Sequence, residues 1–198
     1  MRLLFVLLLF SPLFAERIRI DPSVRSFEER PPGKERVDVF DFSGEFLQLE
    51  NIDIDACRKK NVKFYLTGSY PELESVNYKG AFGVFSGELT GNFPQLSLIN
   101  FLCTSCAMNF DLEANWQRSC EINIRGTDEN IVLTLPKDVG LVIHTKTSLK
   151  GKVVVCEELK KKGWFKILNK TYKNSLAETA PVVLTINIDI NDGRIILN

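Results

Sequence analysis

Cys103 and Cys106, with two residues between them in Cys-Thr-Ser-Cys, have the spacing of a redox dithiol. Such chemistry needs a first thiol activated by a helix N-terminus inside a βαβ setting. Here the pair lies between two runs of alternating apolar residues, and no helical pattern follows it. A structural zinc site would need two further ligands at useful spacing, and His144 is the sole histidine. The pair therefore reads as a structural disulfide or as two packed thiols. An exported thiol redox factor using Cys103 and Cys106 is the alternative. Cys57, Cys120 and Cys156 bring the count to five. An odd number leaves at least one thiol free or paired with another chain, and the connectivity stays open.

Other reactive types are present without a pattern that assembles them. His144 sits in an apolar run, Leu141-Val-Ile-His-Thr, with no serine or cysteine in a nucleophile motif. Asp53, Asp55, Asp111 and Glu113 alternate with apolar residues, as on a solvated sheet face. A hydrolase using such an acidic face is a further alternative, but nothing selects a pair of acids. Asp189-Ile-Asn-Asp192-Gly193 resembles a fragment of a calcium loop and lacks its closing acid, so it reads as a hairpin turn. No catalytic residue, metal or cofactor is predicted.

Charge is the more informative signal. Residues 41–144 hold 8 basic and 14 acidic side chains, whereas residues 145–173 hold nine lysines against Glu157 and Glu158. Within the basic stretch, Lys160, Lys161, Lys162, Lys166, Lys170 and Lys173 are interleaved with Trp164, Phe165 and Tyr172. Cations beside aromatics suit an interface that is part anionic and part apolar. These nine residues form the candidate binding patch, predicted to protrude as a basic hairpin or loop. Its expected partner is another envelope protein, an anionic envelope polymer or a membrane surface. Nucleic acid is not expected, because the total charge is neutral and the chain carries an export signal.

That signal is the N-terminal layout: Arg2, the apolar run Leu3–Phe10, and Ala15 before Glu16. It predicts a secretory signal peptide over residues 1–15 and export to the periplasm or cell surface. Residues 16–36 are charged and broken by Pro22, Pro31 and Pro32, and read as a linker or extended arm. From residue 37 to 198 the apolar residues recur with a period of two, punctuated by turn residues every 8–12 positions. Helical periodicity is nearly absent. The pattern predicts one all-β domain of stacked short strands, in a solenoid-like or sandwich-like rack. Its core is read as Leu47, Leu49, Ile54, Phe101, Met108, Phe110, Leu112, Ile124, Leu133, Ile143, Val153, Leu184, Ile186 and Ile188. Residues 182–190 and 194–197 are read as hairpin partners. No motif of fixed length is evident, which speaks against a regular short-period β-helix.

Three segments carry a family likeness. They are Gly44-Glu-Phe-Leu-Gln-Leu49, the stretch Ile122–Val139 with its Leu135-Pro136, and the closing strand, turn and Gly193-Arg-Ile. Together they resemble the bacterial toast-rack proteins, the adhesin-like and cell-wall-antibiotic-response groups. The resemblance implies an all-β rack, exported or membrane-tethered, without a known catalytic site. It implies no functional residue, and this chain departs from the pattern in its cysteines and in the lysine–aromatic segment. The expected function is thus a non-catalytic envelope protein that serves in adhesion, binding or envelope-stress signalling.

Overall fold

The computed structural model describes residues 16–20, 27–29, 37–57, 61–126, 130–162 and 168–198. The expected signal peptide lies outside them. Among the described residues every regular element is a strand. The first two, β1 (Glu16–Ile20) and β2 (Phe27–Glu29), come from the segment read as a linker or arm. β1 adds a parallel edge to one sheet and β2 an antiparallel edge to another, so parts of that segment belong to the ladders.

From Val37 the chain winds in coils of three strands. The first coil is β3 (Val37–Asp41), β4 (Gly44–Glu45) and β5 (Leu49–Ala56). The second is β6 (Asn61–Leu66), β7 (Gly68–Ser69) and β8 (Ser75–Gly80). The third is β9 (Gly83–Leu89), β10 (Asn92–Phe93) and β11 (Leu98–Cys103). The fourth is β12 (Cys106–Asp111), β13 (Asn115–Trp116) and β14 (Cys120–Gly126). Each strand pairs in parallel with its counterpart one coil away, so three sheets form the sides of a solenoid. The rack is thus solenoid-like rather than a two-sheet sandwich.

The coil length is regular, contrary to the expectation that nothing of fixed length recurs. Val37 pairs with Asn61, and Val62 with Phe85 and then Met108, a step of 24 and then 23 residues. What repeats is position rather than residue identity. Inward side chains form rows such as Ile52, Val76, Ile99 and Ile122, all fully buried. Along the short third sheet Phe46, Tyr70 and Phe93 stack at ring-centre distances of 5.4 and 5.3 Å, and Trp116 follows tilted against Phe93 at 6.3 Å. Offset stacking adds to the area these rings bury. Where two large rings compete, a glycine makes room: a Cβ on Gly87 would sit 2.7 Å from the rings of both Phe85 and Phe110.

After the fourth coil the order changes. β15 (Ile131–Thr134) stacks directly on β12, but β16 (Gly140–Lys146) and β17 (Lys152–Val155) each skip a level. β18 (Lys160–Lys162) and β19 (Asn169–Lys173) form an antiparallel pair. The chain then comes back to fill the gap. β20 (Val183–Asp189) inserts between β14 and β16, and β21 (Arg194–Leu197) inserts between β15 and β17. The expected hairpin of residues 182–197 is therefore corrected. Gly193, at φ +118°, turns a corner between two different sheets. Turn chemistry reads the same in both cases, so the sequence pattern could not tell a hairpin from a corner.

The expected core is buried with two exceptions. Leu47 is 65% exposed, because it sits in the turn between β4 and β5 rather than on a strand. Val153 is partly buried against the core from the edge strand β17.

Candidate functional site

The outward faces of the strands carry the polar chemistry, and the longest sheet carries most of it. That sheet runs β1-β5-β8-β11-β14-β20-β16-β19-β18. Because neighbours are parallel and in register, outward residues of successive coils line up at about 4.8 Å. One row is almost entirely amide. Asn77 Nδ2 donates to Asp53 Oδ1 at 2.9 Å, Asn100 Nδ2 to Asn77 Oδ1 at 2.8 Å, and Asn123 Nδ2 to Asn100 Oδ1 at 3.1 Å. Asn187 Nδ2 donates to Asn123 Oδ1 at 2.9 Å and to Glu121 Oε1 at 3.1 Å. Every donor along the ladder points toward the Asp53 carboxylate, so the chain of amides is polarised in one direction.

The row continues through His144 on β16, in register with Asn187, and Thr171 on β19, in register with His144. His144 Nδ1 lies 3.0 Å from Thr171 Oγ1. Lys162 on β18 is in register with Thr171 and closes the row at the sheet edge. Eight strands from β5 to β18 make the row about 34 Å long at the usual strand spacing. Toward the β18 end the surface dips into an open groove of about 510 Å³, lined in part by Asn123, Arg125, His144, Lys170, Thr171 and Asn187. Lys146 bonds Asp189 within it at 2.7 Å.

None of these residues except Lys170 and Lys162 belongs to the patch read from sequence. A signal for the rest was present: Asn77, Asn100 and Asn123 are spaced by 23 residues, each between two apolar residues. It is visible only once the coil length is known.

The lysine–aromatic patch is brought together in part. Lys160, Lys161 and Lys162 form β18, and Lys170 and Lys173 lie on β19 beside it, as an antiparallel pair. Lysines on a sheet edge also discourage pairing with another chain. Trp164, Phe165 and Lys166 lie outside the described residues. Tyr172 is corrected: it is 5% exposed, in register with Ile143, and faces the core, so it cannot contribute to a surface patch.

Cys103 and Cys106 form a disulfide across the corner between β11 and β12, with their Cα atoms 5.6 Å apart. The two cysteines are only 3% and 6% exposed, and Ser105 takes φ +55° to complete the turn. Among the described residues no helix abuts the pair that could lower a thiol pKa. Closing so short a loop contributes about 2 kcal/mol on the chain-entropy account. The other thiols are disfavoured as nucleophiles. Burial pushes the Cys120 thiol up to about 12. Burial and the neighbouring Asp55 raise Cys57, and burial and Glu158 raise Cys156. Among the described residues no three His, Cys, Asp or Glu side chains converge as metal ligands.

No family model matches this chain, and no curated protein matches it. Among solved structures it is similar to a candidate cell adhesion protein from Clostridium sporogenes. The identity is 19% and the TM-score 0.49, over 62% of this chain and 55% of that one. The match thus spans little more than half of that protein's length.

Proposed function

We propose that this chain is a non-catalytic binding scaffold of the cell envelope, exported and adhesin-like, of the toast-rack kind. The observation that carries the reading is the polar row on the longest sheet. Its amides are tied to one another in one fixed direction, and its reactive types are spent on structural bonds. A preformed, rigid array of donors and acceptors lowers the ordering cost of binding. Its one hydroxyl–imidazole contact, Thr171 Oγ1 with His144 Nδ1, has no third group among the described residues to orient the ring, which favours binding over catalysis. The thiol alternative is weakened by the burial of the disulfide and the raised free thiols. The lysines of β18 and β19 give the same end of the sheet a positive field, suited to anionic envelope material.

Fractionation of the native cells tests this. The protein is expected outside the cytoplasm, beginning near Glu16, and partly released by high salt because exposed charges are screened. Recovery in the cytoplasm with Met1 intact contradicts it.

A further inference from the structure

We infer that the groove at the β14-β20-β16-β19 end binds one strand of an anionic polyhydroxyl polymer. This is a glycan or polyol chain bearing carboxylate or phosphodiester groups, laid across the strands. The inference rests on the reading of the chain as an envelope binding scaffold and names its ligand class.

The chemistry of the row selects hydroxyls. A carboxamide has two donor hydrogens and an oxygen with two lone pairs. Within the ladder Asn100 and Asn123 each give one hydrogen and accept one. Each therefore keeps one donor and one lone pair for a ligand. A hydroxyl is likewise both donor and acceptor, so repeated hydroxyls match repeated amides. Thr171 extends the same character beyond His144.

The charges select the acid groups. Lys146 is already paired with Asp189 at 2.7 Å, and Glu121 is engaged by Asn187. Arg125 lines the groove on the face of Asn123, and Lys162 stands on the face of Thr171 at the end of the row; neither has an ion pair among the described residues. Two cations thus remain for a ligand, on β14 and β18, with the Asn187, His144 and Thr171 positions of the row between them. Arginine suits a carboxylate or phosphate through paired N–H donors.

Other occupants fit less well. The groove is lined by no Phe, Tyr or Trp, so bases of a single-stranded nucleic acid find at most the His144 ring and no series of platforms to stack on. Its one aliphatic, Ile188, is only 2% exposed, which offers no seat for an acyl chain. It lies on the face of a sheet, where an added peptide strand finds no free ladder. The row of about 34 Å that feeds it suits a polymer better than a small molecule.

Calorimetry with polygalacturonate, poly(glycerol phosphate) and neutral dextran tests the inference on the full-length protein. At least one acidic polymer is expected to bind, and which one does identifies the acid group. Dextran should bind at least about tenfold more weakly, and Arg125→Gln with Lys162→Gln should weaken the acidic polymer by about tenfold or more. The melting temperature should barely move, since exposed charges contribute little to stability. Binding to neither acidic polymer, equal binding to dextran, or an unaffected double variant overturns the inference. So does preferential binding of anionic phospholipid vesicles through the same two residues. A protein that stays with the envelope fraction yet fails these assays loses this inference and keeps the function proposed above. Recovery in the cytoplasm removes that function instead.

Discussion

A chain truncated after Pro181 is expected to show no cooperative unfolding transition. The loss reaches far beyond a frayed end, because the last two strands are internal to their sheets. β20 lies between β14 and β16, and β21 between β15 and β17. Their removal takes away Leu184, Ile186, Ile188, Ile190, Ile195 and Leu197, all buried. At about 1.5–3 kcal/mol for each buried aliphatic, the gross loss is about 9–18 kcal/mol. That matches or exceeds the net stability of about 5–15 kcal/mol typical of a whole domain. It also strands β16 and β17 without their parallel neighbours. Thermal denaturation followed by circular dichroism, with a hydrophobic dye as a second probe, reads the outcome. A truncated chain that melts cooperatively within a few degrees of the full chain contradicts the interleaved order.

Gly68→Ala is the most disruptive single substitution the coil geometry identifies. Gly68 begins β7 at φ +136°, where an L side chain is strained, and a Cβ there would lie 1.8 Å from the Gly44 carbonyl oxygen. Neither partner can yield, since both are backbone in adjacent coils, paired in register. Strain of this kind costs about 1–3 kcal/mol before the clash is counted. The total destabilisation is therefore expected to exceed about 3 kcal/mol by urea denaturation. Gly126→Ala is the comparison: its Cβ would come within 3.1 Å of the Cys103 carbonyl oxygen, without a positive φ. Its cost should be clearly smaller. Equal costs at the two sites would show that the third-side corner is not so closely packed.

The strands were legible because burial on one face imposes a period of two, and residues such as Ile52, Ile54, Ile186 and Ile188 carry it openly. The coil was less so. Its repeat lies in aromatic positions 46, 70, 93 and 116 and in glycines 44, 68 and 91, which differ in identity or shift by one residue. A row of Phe, Tyr, Phe and Trp fills one column equally well, so packing preserves shape while the letters change. The interleaving of β20 and β21 left no local mark at all, because strand order is decided by long-range pairing. For the candidate site, the lysines announced themselves as a charge run. The asparagines did not, since a single Asn between two apolar residues looks like any solvated strand position. Tyr172 misled for a related reason: an aromatic among lysines reads as surface, although its parity with Ile143 turns it inward.

The central claim is that this molecule works through the outer face of its longest sheet and not through its cysteines. Retention on washed envelope preparations measures it directly, comparing two double variants with the wild type. Arg125→Gln with Lys162→Gln should be released at lower salt than the wild type. Cys103→Ala with Cys106→Ala should be retained like the wild type at a temperature where it stays folded. Normal retention of the charge variant, together with release of the folded cysteine variant, would contradict the account.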